Sequence, residues 1–180
     1  MTTTRRQDAS ATLTQACALL DQCHEFLGAL DAEQYTLPSS RMMGSTIGQH
    51  VRHTLDHYAA ALTALSGEII DYDHRQRDTP VENDLEVALD TVVKLRTDLE
   101  RVPEGKLGDV VRLRVMLDAE GSEIELGSTL ARELAFSTHH AIHHCAMIAS
   151  IAWEQGVGCP EGFGKAPSTR NYERTKANIH

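Results

Sequence analysis

Apolar residues recur every three or four positions along four separate segments of the chain, a spacing typical of helices that bury one face. In the first segment they are Leu13, Ala16, Cys17, Leu20, Cys23, Leu27 and Leu30. We predict that the first helix runs through this segment and ends before Pro38, because proline cannot continue a helix.

The second helical segment begins with a capping signal. Thr46 and Gln49 form a T-x-x-Q capping box, and Gly67 marks the end of the segment. The apolar face between these two points consists of Ile47, Val51, Leu55, Tyr58, Leu62 and Leu65. The stretch DYDHRQRD follows, which is dense in charge and lacks apolar periodicity, so we predict a loop there.

A third helix is predicted from Thr79 to about Arg101. Thr79 is a capping residue, Pro80 suits the first helical position, and Glu82 completes a capping box. Pro103 stops the helix. From residue 110 to residue 117 apolar residues then alternate with arginines, and a second alternating piece, SEIEL, follows a polar turn. We predict a small β-hairpin here.

The fourth helix starts at a cap formed by Ser128 or Thr129 and ends near Gly156. One face of it carries Leu130, Leu134, Ala141, Cys145, Ile148 and Ala152. The remaining segment, 156–180, is rich in glycine and proline, so we predict that it is mostly loop.

The length of 180 residues fits a single domain over 1–180, with residues 1–10 predicted to be flexible. The apolar fraction is 41% but aromatic residues contribute only 4%, which favours packed helices over a sandwich or barrel. The four cysteines form no CxxC pair and we expect no secretory leader, so we interpret them as reduced thiols. The predicted fold is therefore mainly α.

The charge balance disfavours nucleic acid as a partner. Lys and Arg number 17 against 26 Asp and Glu, giving a formal net charge of -9, and there is no long basic run. No segment approaches the ~20 apolar residues of a membrane span. We therefore expect a soluble cytoplasmic protein without a membrane partner.

Seven of the ten histidines fall into two groups, one on the second predicted helix and one on the fourth; they are His50, His53, His57, His139, His140, His143 and His144. At about 100° per residue, the first three lie within roughly 60° of one another along the border of the apolar face. His140 and His144 are spaced i, i+4, which is chelating geometry. We predict a metal site in which this pair and a histidine of the second helix bind one divalent ion.

Three imidazole ligands leave a coordination position free for water or substrate, as in catalytic rather than structural zinc sites. Such an ion lowers the pKa of bound water to roughly 7 or binds a thiol as the thiolate. Imidazole ligands suit zinc, nickel, copper and iron alike. A Cys145–His144 nucleophile is disfavoured because adjacent helical residues point apart, and Cys145 is interpreted as a core thiol.

Four segments resemble, in order, members of the DinB-like superfamily, also called the DinB/YfiT metalloenzymes: STIGQHVRHTLDHY, DYDHRQRD, ELAFSTHHAIHHCAMI and FGKAPSTRNYE. The likeness is to a bacterial subgroup with similar GQHxRHxLDH, NYDxRxRD, EHAIHH and FGVAPST segments. This chain has lysine where that subgroup has valine in the last motif, so no functional role is carried onto the tail. The hairpin is similarly given no role.

The resemblance implies a four-helix bundle, often a homodimer, with a three-histidine site for zinc, nickel or a similar ion. By motif position the ligands are His53, His140 and His144. His53 is preferred over His50 because the family's ligand usually occupies the later position. The competing pair His139 and His143 is less favoured, because His139 stands where the subgroup has glutamate.

Two functions are consistent with such a site. The first is an enzyme, a thiol transferase or hydrolase in which the metal activates a thiol or water; the resemblance implies a small-molecule substrate, such as a low-molecular-weight thiol. The second is a non-catalytic binding module for a metal or small ligand, in which Arg52, Arg75 and Arg77 bind an anion. The favoured interpretation of these arginines is instead that they are solvated and balance the charges of Asp56, Asp71, Asp73 and Asp78. A deep cleft leading to the metal favours the enzyme, whereas a site sealed by Leu and Val favours a structural role.

Overall fold

The computed structural model describes residues 8–177, so most of the segment predicted to be flexible, residues 1–7, lies outside the described residues. The helices are α1 (Ser10–Leu27), α2 (Ala32–Thr36), α3 (Ile47–Thr63), α4 (Pro80–Asn83), α5 (Leu85–Glu100), α6 (Leu130–Glu154) and α7 (Pro167–Ala177). The strands are β1 (Ile70–Asp71), β2 (Val110–Met116) and β3 (Glu123–Thr129). Single 3₁₀ turns cover Ala64–Ser66 and Glu104–Lys106.

Helices α1, α3, α5 and α6 form a four-helix bundle, as predicted. α1 packs against α5 and α6, and α3 packs against the same two helices, so the order around the bundle is α1, α5, α3, α6. Their apolar faces meet in one core, whose largest fully buried side chains include Tyr35, Tyr58 and Phe26. The histidine-bearing helices α3 and α6 are therefore direct neighbours.

The first predicted helix ends earlier than expected. α1 stops at Leu27, and a separate short helix, α2, begins after Asp31. The Asp31 carboxylate accepts a hydrogen bond from the backbone N–H of Gln34 at 2.8 Å, and the Gln34 side chain accepts one from the Asp31 backbone. This capping box satisfies donors at a new helix start, which explains the break.

The third predicted helix is also divided. Asp84 adopts an extended conformation between α4 and α5, and its side chain caps α5 by accepting from the backbone N–H groups of Glu86 and Val87. Thr79 precedes α4, as predicted, but makes no side-chain capping bond. Glu82 is instead buried and lies 2.8 Å from the Arg52 guanidinium of α3. The side chain that was predicted to complete a capping box thus pairs with another helix.

The predicted hairpin is confirmed and gains a third strand. β2 and β3 pair antiparallel from Val110 opposite Thr129 to Met116 opposite Glu123. β1 pairs parallel with β2 through Ile70 opposite Leu113, so the segment predicted to be a loop begins as a strand. This pairing holds the following residues, Tyr72 to Arg75, beside α3 and the start of α6.

The tail differs from its prediction, because residues 167–177 form α7 rather than loop. None of its residues is buried, so it has no apolar face to produce the periodicity used for prediction. The preceding loop is fixed by Phe163, whose ring stacks on Phe26 with centroids 5.0 Å apart. Within residues 8–177, no helix combines the length and apolar composition needed to cross a bilayer.

Candidate metal site

The site lies where α3 crosses α6, at positions fixed by two helix caps. Thr46 caps α3 through the predicted box with Gln49, and Thr129 caps α6 by accepting from the backbone N–H of Arg132. From these starts the helical repeat places five histidines against one another in the middle of the interface; they are His50, His53, His57, His140 and His144.

Two pairs of histidines join the helices through ring nitrogens. His53 Nε2 lies 2.7 Å from His140 Nε2, and His50 Nδ1 lies 2.9 Å from His144 Nδ1. Each pair is at hydrogen-bond distance, so one nitrogen of the pair carries a proton and donates a hydrogen bond to the other. The second nitrogen of His50 lies 3.2 Å from the Ser45 hydroxyl.

His57 completes a three-nitrogen cluster with the first of these pairs. Its Nδ1 donates to the backbone carbonyl of His53 at 2.9 Å, which leaves Nε2 unprotonated in the neutral ring. Ligand atoms of His53, His57 and His140 all lie within 4.8 Å of one another. A cluster of this kind could hold a metal ion after small movements of the rings.

The three histidines assigned from the resemblance are mutual neighbours in the structure. The ring centroid of His53 lies 4.9 Å from that of His140 and 4.4 Å from that of His144. The centroids of His140 and His144 are 4.6 Å apart. His144, however, directs its Nδ1 at His50. His57 was placed on the histidine stripe but not chosen, although His53 and His57 have the same i, i+4 spacing as His140 and His144. The ligand assignment therefore remains a prediction.

Burial keeps these imidazoles neutral. Desolvation lowers the pKa of His57 and of His140 to about 4, from an ordinary 6.5, although Asp73 acts in the opposite direction on His57. Desolvation, followed by the neighbouring His140, lowers the pKa of His144 to about 3. Neutral imidazole is the form that binds a metal ion, so His57, His140 and His144 have the charge state that coordination requires.

Glu133 supports the cluster through an aromatic ring. Its fully buried carboxylate accepts hydrogen bonds from the Tyr72 hydroxyl at 2.9 Å, the Ser128 hydroxyl at 2.5 Å and Arg132 at 2.8 Å. Tyr72 lies flat on His57, with centroids 4.9 Å apart and planes 10° apart. Tyr72 could not be predicted from the sequence, because a lone tyrosine in a charged stretch carries no periodic signal.

A cleft of about 600 Å³ opens beside the cluster. One wall contains His53, His57 and His140, and the facing walls come from the 72–75 segment, from β2 and β3, and from the first two turns of α6. His144 does not line it. The sheet that was given no role in the sequence analysis thus forms part of the cavity at the histidines.

The other candidates lie outside this arrangement. His139 and His143 are exposed, although the His143 ring centroid lies 5.5 Å from that of His144. Arg77 is exposed away from the cleft, and Arg52 pairs with Glu82. Cys145 is fully buried with its Sγ 3.7 Å from that of Cys23, and this contact together with burial raises the pKa of its thiol. Cys145 is therefore a core thiol, as predicted.

The sequence model of the DinB superfamily matches residues 15–148 of this chain, which include most of α1, both histidine groups and the sheet. The chain belongs to the DinB superfamily. The matched region covers most of the chain, and the resemblance identified from four segments is confirmed. Membership of this superfamily and the three-nitrogen cluster are together compatible with a metal-binding site.

Two similar proteins bear on this DinB-superfamily chain. It is 36% identical over 102 residues to FK506-binding protein 5 of Rhizopus delemar, a match covering 56% of this chain and 26% of that protein. The chain thus spans about a quarter of the length of this curated relative. The crystal structure of a DinB-like protein from Bacillus cereus ATCC 10987 has a TM-score of 0.60 at 15% identity, covering 84% of this chain and 95% of the other. This likeness shows the fold alone.

Proposed function

We propose that this protein is a metal-dependent enzyme that holds a divalent transition ion between α3 and α6 and uses it to activate a thiol or water. One observation carries the proposal: ring nitrogens of His53, His57 and His140 cluster within 4.8 Å at the wall of an open cleft of about 600 Å³. Zinc or nickel is the proposed ion, and iron and copper also suit imidazole ligands. The reaction class is thiol transfer or hydrolysis of a small molecule.

His53 and His140 are the two ligands common to both candidate arrangements of the site. The His53 and His140 rings each contact both His57 and His144, at centroid distances from 4.2 to 4.6 Å. We propose His144 as the third ligand, as the superfamily motif implies. The rival is His57, whose free Nε2 is part of the three-nitrogen cluster.

A site with three protein nitrogens leaves a position for an exogenous ligand. When bound, such an ion lowers the pKa of a coordinated water or holds a thiol as thiolate. The residues of the chain orient the site: Glu133 fixes Tyr72, and Tyr72 packs on His57. The cleft is open rather than sealed by Leu and Val, which supports a catalytic over a purely structural ion.

Metal content of protein purified without added metal tests the site. We expect stoichiometric metal in the wild type and loss of it in the His140→Ala, His144→Ala double variant. The matched control is His139→Ala, His143→Ala, which removes the same i, i+4 pair from exposed positions of the same helix. Equal metal content in the two double variants would contradict the proposed site.

Single substitutions distinguish the two third ligands. If His144 binds the ion, His144→Ala weakens metal affinity more than His57→Ala, measured by competition with a chromophoric chelator. The reverse order would replace His144 by His57 without removing the site. Both variants should be compared with His53→Ala, which removes a ligand common to both arrangements.

Cobalt substitution separates an enzyme from a non-catalytic binding module. The visible spectrum of the Co(II) protein reports the coordination number, and 2-mercaptoethanol should add a thiolate-to-metal charge-transfer band if the open position is accessible. A fourth protein ligand that closes the coordination sphere would instead favour the non-catalytic alternative. The His140→Ala, His144→Ala variant controls for cobalt bound elsewhere.

The proposal includes a homodimer, which the resemblance implies, and a cytoplasmic setting, which agrees with the four free cysteines. Light scattering after size-exclusion chromatography measures the mass against a chain of 19.8 kDa. A monomeric mass would remove the dimer from the proposal and leave the metal site unaffected.

A further inference from the structure

The cleft beside the histidines contains one more cationic side chain than anionic ones. Its lining includes Arg75, Arg114 and Arg132 against the two carboxylates of Asp73 and Glu133. The partners of each arginine show which of these positive charges are already compensated within the protein.

Two of the three arginines are paired. Arg114 lies among Asp71, Glu123 and Glu125, at distances from 3.5 to 3.8 Å. Arg132 lies 2.8 Å from the buried carboxylate of Glu133 and places its guanidinium over the ring of Phe136. These cations are already compensated within the protein.

Arg75 is the unpaired one. Its Nη1 donates to His53 Nδ1, and no carboxylate of residues 8–177 lies within ion-pair distance of its guanidinium. Its Nε is shielded from solvent and has no hydrogen-bond partner in that range. Burial, followed by the nearby Arg52 and Arg77, lowers its pKa. A half-buried guanidinium without a counter-ion is costly, and an anion in the cleft would offset that cost.

The remaining wall of the cleft is apolar and partly exposed. Phe136 and Leu126 are 36% and 45% exposed, and Val115 lies beside them in the lining. Such side chains at the edge of a cavity provide a surface for an apolar ligand body. The cleft thus has a cationic end at the histidines and an apolar wall.

We propose that this cleft binds a small monocarboxylate with an apolar body, the carboxylate pairing with Arg75 and the body lying against Phe136 and Leu126. The guanidinium stays charged and donates charge-assisted hydrogen bonds to a carboxylate. A phosphate dianion is a poorer match, since its two charges would face one unpaired guanidinium while the carboxylates of Asp73 and Glu133 line the same cavity. The assignment of a monocarboxylate as the substrate class rests on the proposed function, whereas carboxylate binding at Arg75 does not require the metal ion.

Calorimetric titration of benzoate tests the ligand class, with benzamide as the neutral analogue of the same shape and inorganic phosphate as the alternative anion. It is performed on metal-free and on zinc-loaded protein. We expect benzoate to bind in both forms, at least about tenfold more tightly than benzamide or phosphate. Equal binding of benzoate and benzamide would contradict the proposal, and tighter phosphate binding would replace the carboxylate by a phosphate group.

Charge-matched variants test the residue. Arg75→Gln should weaken benzoate binding by about tenfold or more, and Arg75→Lys should be intermediate because lysine retains the charge but not the fork. Arg77→Gln removes the same charge from an exposed position two residues away and should stay within about twofold of wild type. Circular dichroism and Tm establish that each variant is folded. Benzoate affinity unchanged by Arg75→Gln overturns the proposal.

The two proposals fail separately. Benzoate binding that depends on Arg75 in a protein that binds no metal would overturn the metal site and retain the carboxylate site. Stoichiometric metal in a protein whose benzoate binding is independent of Arg75 would retain the metal site and overturn the carboxylate site.

Discussion

The Tyr72 ring lies flat against His57 at a centroid distance of 4.9 Å, while its hydroxyl donates to the buried Glu133 carboxylate at 2.9 Å. Tyr72 follows β1, whereas His57 belongs to α3 and Glu133 to α6, so the contact joins three parts of the fold around the cluster. Burial, followed by the Glu133 charge, raises the pKa of Tyr72, which keeps its hydroxyl protonated as the donor.

The first prediction removes that donor while keeping the stacked ring. Tyr72→Phe should lower the free energy of unfolding by about 1 kcal/mol, because Glu133 loses one hydrogen bond in a buried position. Urea denaturation measures the change, with Tyr172→Phe at an exposed tyrosine as the matched control. A Tyr72→Phe variant as stable as the control would show that the hydrogen bond does not contribute.

The histidine cluster predicts an acid dependence of stability in the metal-free protein. The pKa values of His57, His140 and His144 are lowered in the folded state to about 4, 4 and 3, from an ordinary 6.5. At a pH between the folded and the ordinary pKa values, the unfolded chain binds protons at these histidines that the folded chain does not bind. Stability should therefore be complete above about pH 6.5 and fall as the pH is lowered towards 4.

Thermal unfolding across this pH range measures the effect. His57→Phe removes one of the buried titrating groups and should make Tm less dependent on pH. His139→Gln alters an exposed histidine of α6 and should leave the dependence as in the wild type. If the metal-free wild type were more stable at pH 5 than at pH 7, the sign of the linkage would be wrong.

Local signals in the sequence were sufficient for some elements and not for others. Thr46 and Thr129 cap their helices as predicted, because the cap and its partner are three residues apart and need no distant contact. The break at Asp84 was missed, since Glu82 seemed to extend the Thr79 cap but pairs with Arg52 of another helix. That competition is tertiary and has no periodic signature.

The same distinction applies to the site. Helical periodicity brings the histidines of α3 to one face and His140 with His144 to another, but only packing shows that His53 contacts His140. Arg75 and Tyr72 lie in a stretch that reads as charged loop, and they reach the cluster because β1 pairs with β2. Contacts made by a two-residue strand cannot be inferred from alternation, since two residues provide no repeat.

The helix caps yield a prediction that compares the sequence signal with the structure. Asp84→Ala should reduce stability by about 1 kcal/mol, because the carboxylate accepts from two backbone N–H groups at the start of α5. Thr79→Ala should change it by less than about 0.5 kcal/mol, since its hydroxyl makes no capping bond. Chemical denaturation of both variants measures the difference. A larger loss of stability in Thr79→Ala than in Asp84→Ala would contradict the divided helix and support the single helix predicted from the sequence.

Gly164 of the tail loop packs against the backbone of α6. Gly164 has a φ of +70°, and a Cβ there would lie 2.6 Å from the backbone N and Cα of Ala146 in α6. Gly164→Ala should cost about 1–3 kcal/mol, because it adds left-handed backbone strain and an overlap with backbone atoms that cannot rotate away. Gly158→Ala is the matched control, since a Cβ at Gly158 meets nothing within 4 Å. Tm values of both variants test the contact, and equal Tm values would mean that the tail does not pack on α6 as this structure has it.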